Sequence, residues 1–429
     1  MSLNFNLDGN PVKCVLTDSH LNIEKAKTTE SIEISDIIGL VAKPVENGKT
    51  TGTINVFIIQ KLDKFKLKKK ELNFKSEQGT CTEFGILLKE RLDSLADRPK
   101  RLLVMISPPA GRQQGEKIYQ NVVAPIFDIA GITTEVVETP SHIHDFMSTY
   151  DYNKVDGFVV CGGDGSYNQM FSPLLERSQK EAGVDHNDPT VDLKPTLKPI
   201  GIIPTGTRNC AARISQGCTD PLTAALHIVK GNKRRLPVSG IYSDNKCFRF
   251  CSLFVGFGMS TELFYYTENF RWMKTMRYLR MSESDAAGET VKDQIEPGNI
   301  IEIDGRYVDI LMHIHDFLNF DYNFTSAGYK YNNCELNVYN TTYPSRGSLL
   351  KNFMNRMFNN SEDIVNPPYI QNYKISGYKV TVDMQVDSAV EFPYRIMADA
   401  EYINLKDPEW EIRFKGPVVT VYSSLPVKT

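Results

Sequence analysis

Val155-Asp156-Gly157-Phe158-Val159-Val160-Cys161-Gly162-Gly163-Asp164-Gly165 passes from an apolar run directly into three glycines within four positions. Residues 155–160 read as a buried strand. The glycines let the backbone turn tightly and approach a ligand, with Asp164 the only ionisable group among them. From Ser166 onward Tyr167, Met170, Phe171, Leu174 and Leu175 recur at helical spacing, so the turn joins a strand to a helix. About forty residues later Ile203-Pro204-Thr205-Gly206-Thr207 repeats the arrangement at the end of a second apolar run. An Asp-Gly pair is most often only a turn. Here two such turns at strand ends, each opening a helix, suggest a phosphate cradle, in which backbone N–H groups and the Thr205 and Thr207 hydroxyls meet phosphate oxygens. Asn209 is expected to cap the helix that follows the second turn.

Around this pair, strands and helices alternate. Leu102 to Ile106 reads as a strand, Ser107 to Gly115 as a loop, Glu116 to Ala130 as a helix closed by Gly131, Ile132 to Glu138 as a strand and His142 to Tyr150 as a helix. That order implies a parallel sheet with helices on both faces and ligands at the carboxyl ends of its strands, where both glycine turns lie. Ser107-Pro108-Pro109-Ala110-Gly111-Arg112 is a third loop at such an end; Arg112 can reach a phosphate or simply stay solvated. Pro173 falls inside a helical pattern and should kink it.

Toward the N-terminus, residues 13–74 alternate apolar and polar, and Phe84, Leu87, Leu88, Leu92 and Leu95 share one helix face. Several strands closed by one helix suit a small β-barrel of pleckstrin-homology architecture, here residues 1–97. Its lysine run, Lys61, Lys64, Lys66, Lys68, Lys69 and Lys70, fits either an edge strand that deters pairing or a site for anionic lipid headgroups at about 1 kcal/mol per lysine. Arg98-Pro99-Lys100-Arg101 marks a boundary, and residues 98–231 form the α/β domain. Beyond residue 232 the chain reads as mostly β, with an aromatic helical insertion from Thr261 to Arg280 and a polar segment from Met281 to Gly298.

At 429 residues and 41% hydrophobic content, two domains or more are expected, and a net charge of −3 argues against a dedicated nucleic-acid binder. Apolar runs stop far short of the roughly twenty residues a membrane span needs. The first residues show neither a basic region nor an apolar core, so a cytoplasmic location is expected. The eight cysteines read as small buried hydrophobes rather than metal ligands. Neither a Walker loop nor a His-Arg-Asp set is present, nor a Gly-x-Ser-x-Gly elbow. The residues alone indicate a nucleotide-binding α/β domain, with Asp164 the acid to expect as base if the chemistry is phosphoryl transfer.

These motifs resemble the diacylglycerol and sphingosine kinase superfamily, whose signature is a Gly-Gly-Asp-Gly turn followed by Ile-Pro-x-Gly-Thr/Ser. Within it the chain is similar to the ceramide kinases through Arg98 to Val104, Val123 to Phe127, Ala182 to Asn187, Gly201 to Pro204 and Ala225 to Val229. The resemblance implies a phosphofructokinase-like α/β domain, a C-terminal β-sandwich that binds lipid (residues 232–429) and an N-terminal pleckstrin-homology domain. It also implies ATP and Mg²⁺ as cofactors, with no metal ligand assigned. Asp164 would be the general base, with Gly162, Gly163 and Gly165 bounding the reacting phosphate. Ser107, Pro108, Pro109, Thr139, Gly206, Thr207, Arg208, Arg271 and Arg277 would line the ATP site. Asp399-Ala400-Glu401 matches the family's Asp-Gly-Glu, which reaches back to the nucleotide; Gln169 takes the position of a family glutamate, and Glu262 that of the aspartate holding the lipid head group. Ser107 replaces an asparagine, and residues 281–300 lack the cysteine cluster of ceramide kinases. The implied reaction is phosphorylation of ceramide, with sphingosine or diacylglycerol phosphorylation, or an inactive lipid-binding relative, as alternatives. A peripheral membrane surface, including phosphoinositides, is the implied partner.

Overall fold

The computed structural model describes residues 2–43, 51–108, 110–111, 113–139, 143–258, 261–262, 265, 309–314, 336–341, 370–375, 377–381, 394–399 and 401–425. Two-residue alternation at the N-terminus produces β1 (Ser2–Leu7), β2 (Asn10–Leu16), β3 (His20–Glu24), β4 (Thr29–Glu33), β5 (Ile37–Lys43), β6 (Thr51–Lys61) and β7 (Leu67–Glu77). They pair antiparallel in the order β4-β3-β2-β1-β7-β6-β5. Helix α1 (Gln78–Asp93) closes the sheet by burying Phe84, Leu88 and Leu92. Phe84 meets Phe5 and Phe74 with ring centroids 5.1 and 5.9 Å away. Lys68, Lys69 and Lys70 lie where β7 pairs with β6 alone, because β1 reaches β7 only at Phe74 and Lys75. That stretch is a sheet edge, and lysines suit one.

The next elements are β8 (Arg101–Ile106), α2 (Gly115–Ile118), a π-helical stretch (Tyr119–Val123), α3 (Ala124–Ile129), β9 (Thr133–Glu138), α4 (Ile143–Thr149), β10 (Gly157–Gly162), α5 (Asp164–Glu181), β11 (Ile200–Pro204), α6 (Cys210–Gln216) and α7 (Pro221–Lys230). β9, β8, β10 and β11 are parallel neighbours, as the alternation predicts. The expected helix over 116–130 is one run with a widened register just before Pro125, whose ring nitrogen has no hydrogen to donate. Met147, Phe171, Leu174 and Ile214 fill one face of the sheet, and Val123, Phe127, Leu226 and Val229 the other.

The sheet does not stop at residue 231. β12 (Lys233–Ser243), β13 (Lys246–Cys251) and the last strand, β21 (Glu409–Tyr422), continue it, in the order β13-β12-β21-β11-β10-β8-β9. A second sheet has the order β17-β16-β15-β14-β19-β20, from β14 (Phe254–Gly258), β15 (Asp309–His313), β16 (Leu336–Thr341), β17 (Ile370–Ile375), β19 (Tyr394–Ala398) and β20 (Glu401–Leu405). Between these in the chain, β18 (Gly377–Thr381) pairs with β21 (Glu409–Tyr422), which lies parallel to β11 at Ile200 and Val421. The expected boundary between α/β and β-rich parts is therefore a change in strand direction within one sheet. Of the expected helix over 261–280, only residues 261, 262 and 265 are described, as helical; residues 281–298 lie outside the described set. No helix among the described residues is long and apolar enough to cross a membrane.

The N-terminal sheet is built into the α/β core. Ile38, Phe57 and Ile59 pack in the cluster of α3 and α7. Gly39 has no room for a side chain, since a Cβ there would sit 1.9 Å from the Ile129 carbonyl oxygen. Beside it the buried Arg98 donates from Nη1 to Ile37 O at 2.9 Å, and from Nη2 to Ile38 O and Ala130 O. Burial pulls Arg98 down to about 10, so it remains charged at neutral pH. Leu67 N donates to Thr223 Oγ1 on α7 at 3.0 Å. Arg98→Ala strands three carbonyl oxygens and is expected to lower unfolding free energy by about 3 kcal/mol. Denaturant titration measures this, and an unchanged midpoint would contradict the docking role.

Candidate active site

At the end of β10, Gly163 is extended and α5 begins at Asp164, two residues before the expected start at Ser166. An aspartate in the first turn complements the helix dipole. The two glycine turns touch: a Cβ on Gly206 would lie 2.3 Å from Gly163 Cα. Thr205 N and Gly206 N donate to Gly162 O at 3.0 and 3.2 Å. The second turn thus braces the first instead of offering those two N–H groups to a ligand. The first turn of α5 keeps its own backbone N–H groups without an intrahelical acceptor.

Asn209 differs from its expected role. Its left-handed backbone (φ 55°) turns the side chain onto the glycine turn, where Oδ1 accepts from Gly206 N at 2.8 Å and Nδ2 donates to Gly206 O at 3.0 Å. The cap of α6 is instead Asp164, whose Oδ1 accepts from Ala211 N at 2.9 Å. Burial raises the Asp164 pKa above the usual aspartate range, opposed by the Ala211 and Cys210 amides and the Arg208 charge.

Other predicted residues gather at the same edge. Ser107 is buried, and its N donates to Cys161 O at 2.9 Å. Pro108 follows it in the loop whose Gly111 lies against Thr205 and Gly206. Thr139 N and Oγ1 both donate to Ile106 O. Thr205 Oγ1 is buried with no hydrogen-bond partner among the described residues. Gly165 follows Asp164 in α5, and Thr207 and Arg208 are exposed at the rim. Pro109, Arg112, Arg271 and Arg277 lie outside the described residues.

Asp399 sits at the β19–β20 hairpin with φ 48° and is fully buried. Its carboxylate accepts from Ser252 N (2.7 Å), Leu253 N (2.8 Å), Phe254 N (3.0 Å) and Asn168 Nδ2 (3.0 Å). Burial pushes its pKa up to about 6 against those donors. Both its oxygens are used inside the protein, fastening β13, β14 and α5 together. Glu401, on β20, accepts from Gln169 Nε2 at 3.0 Å. A cavity of about 500 Å³ opens beside this pair, lined by His144, Glu176, Arg249 and Phe248 among others. Glu262 forms an ion pair with Arg395, Nη1 to Oε2 2.6 Å. Arg395 also stacks 3.5 Å over the Tyr265 ring.

Asn168, Arg249 and Arg395 escaped the sequence reading. Asn168 carried a usable signal, one helical turn beyond Asp164; the two arginines carried none, since their partners are 81 and 133 positions away.

Residues 101–241 match the family described as diacylglycerol kinase catalytic domain. Human ceramide kinase is 38% identical over 205 residues, 47% of this chain and 38% of that protein. Arabidopsis thaliana sphingosine kinase 2 is 33% identical over 209 residues, 47% of this chain and 39% of that protein. The chain thus aligns with about two-fifths of the length of these relatives. A solved structure of a putative diacylglycerol kinase from Bacillus anthracis is similar at TM-score 0.47 and 15% identity, covering 77% of this chain and 99% of that one.

Gln169→Glu puts a second carboxylate against Glu401. It is expected to cost about 1 kcal/mol of stability at pH 7.5 and to recover near pH 5, where one carboxyl can hold a proton. Urea unfolding at the two pH values checks this; equal stability at both would mean that the pair is not in contact.

Proposed function

We propose that this chain is an ATP-dependent lipid kinase that transfers the γ-phosphate to the primary hydroxyl of ceramide, giving ceramide 1-phosphate. Asp164 carries the reading: a carboxylate with a raised pKa, fixed where two glycine turns meet at the opening of a helix. A base of raised pKa has more proton affinity to offer a hydroxyl. Transfer in line needs no covalent intermediate, only positioning, a base and charge neutralisation. The N–H groups opening α5 meet the phosphate between Gly162, Gly163 and Gly165. The unpartnered Thr205 hydroxyl suits the same ligand. Ser107, Pro108, Thr139, Gly206, Thr207 and Arg208 border the nucleotide, joined by Pro109, Arg271 and Arg277 on the family pattern. Asp399 works as a positioning residue that holds α5 against the hairpin bearing Glu401. Mg²⁺, when bound, neutralises the phosphate oxygens; Glu401 is the carboxylate at hand, and an ion arriving on a nucleotide needs only one or two.

Glu262 supports the choice of lipid. Its charge is matched by Arg395, so the wall is neutral and suits an amide-linked head group better than the cation of a free sphingoid base. Diacylglycerol, also neutral, is the nearer alternative. The second reading, a catalytically silent lipid-binding protein, is favoured by Gln169, an amide at a family carboxylate position. For the N-terminal unit we propose a pleckstrin-homology-like fold, seven strands closed by a C-terminal helix. Its exposed Lys61, Lys64, Lys66, Lys68 and Lys69 meet an anionic membrane surface, phosphoinositides included. The six-stranded sheet borders the acyl chains, and the enzyme is peripheral and cytoplasmic.

Purified protein is to be assayed for ³²P transfer from ATP to ceramide, sphingosine and diacylglycerol. Asp164→Asn retains an oxygen to cap α6 and is expected to fold normally while losing about 10²- to 10⁴-fold in rate. Retained transfer would remove Asp164 from the base role, and wild-type protein that turns over none of the three lipids would favour the silent reading. Because the base must be deprotonated and its pKa is raised, activity should fall with acidification at a pH above the ordinary aspartate range. A flat profile down to that range would contradict the assignment.

A further inference from the structure

We propose that Arg249 is a phosphate-binding residue, reaching from β13 the same ligand as the glycine turns. This rests on the nucleotide-site reading above. Arg249 lies half-buried on β13 and lines the cavity that Gln169 and Glu401 also line. Asp145, Glu176 and Glu401 share that cavity, yet no carboxylate of the described residues lies within ion-pair distance of the guanidinium. Its one side-chain hydrogen bond among them is a long one, Nη1 to Asn168 Oδ1 at 3.4 Å. A half-buried guanidinium with most of its five donors uncommitted is a site for an anion, and its planar fork fits a phosphate best.

The tether says which anion. Asn168 is locked, since its Nδ2 donates to Phe250 O at 2.8 Å and to Asp399 Oδ2 at 3.0 Å, which leaves Oδ1 to Arg249. It stands four residues after Asp164 on α5, about 6 Å along the helix axis. The fixed end of the guanidinium is therefore alongside the first turns of α5, whose N–H groups already favour a phosphate. Beside it Gln169 contributes no charge and donates to Glu401 at 3.0 Å. The shared chemistry is a phosphate group, carried either by the nucleotide or by a phosphorylated lipid. The position along α5 favours the nucleotide.

The test titrates the full chain with Mg-ADP, with adenosine and with short-chain ceramide 1-phosphate, for wild type, Arg249→Met and Arg249→Lys. Arg249→Met should weaken ADP about tenfold or more, Arg249→Lys should fall between, and adenosine and the lipid phosphate should be unchanged. Thermal unfolding confirms that each variant is folded. Unchanged ADP affinity overturns the proposal, as does an equal loss for ADP and adenosine, which would mark a structural role. Loss for the lipid phosphate alone overturns the nucleotide source. Wild-type protein that binds ADP through Arg249 but phosphorylates no lipid would keep this inference and remove the kinase reading. Wild-type protein that binds no ADP removes both.

Discussion

One oxygen atom joins the two glycine turns. Asp164 Oδ1 caps helix α6 by accepting from Ala211 N while its own backbone opens helix α5, so each helix N-terminus is defined by the other's turn. Gly163 and Gly206 touch beside that bond, so Gly206 has no space for a side chain and a Cβ on Gly163 would press on Gly206 Cα at 3.1 Å. The same geometry buries the carboxylate and raises its pKa, coupling the architecture of the turn to the chemistry proposed for it.

A second constraint works at a distance from the first. Asp399 gathers three consecutive backbone N–H groups and the Asn168 amide, closing the gap between the parallel sheet and the β19–β20 hairpin. Together with the β14–β19 pairing it holds Glu401 against Gln169. A buried carboxylate so fully satisfied is worth more as a fastener than as a ligand. The N-terminal sheet is equally integral. It supplies apolar side chains to the α3 and α7 layer and a set of backbone acceptors for Arg98, and so behaves as part of the core.

Much of this was legible from local pattern. The parallel strands, the helices between them and the edge at which the glycine turns sit all follow from periodicity and turn chemistry. Three features did not. Asn209 looked like a helix cap because its residue type and position fit, but the left-handed backbone diverted its side chain and Asp164, from the first glycine turn, took the role. The boundary near residue 232 reflected a real change in strand pattern, yet β21 pairs with β11 at Ile200 and Val421 and with β12 from Lys233 and Tyr422 onward, a long-range register that composition does not encode. Asp399 could be matched to a family motif, but its burial could not be read from the motif alone.

On the proposed function, phosphate binds where the two glycine turns meet, within reach of Asp164. The most direct measurement is a crystal structure of the full chain with Mg-ADP. The β-phosphate is expected at the N–H groups opening α5, against Gly163 and Gly206, with the Asp164 carboxylate facing the space left for the γ-phosphate and the acceptor hydroxyl. Phosphates bound away from that junction, with Asp164 closed off behind α6, would contradict it.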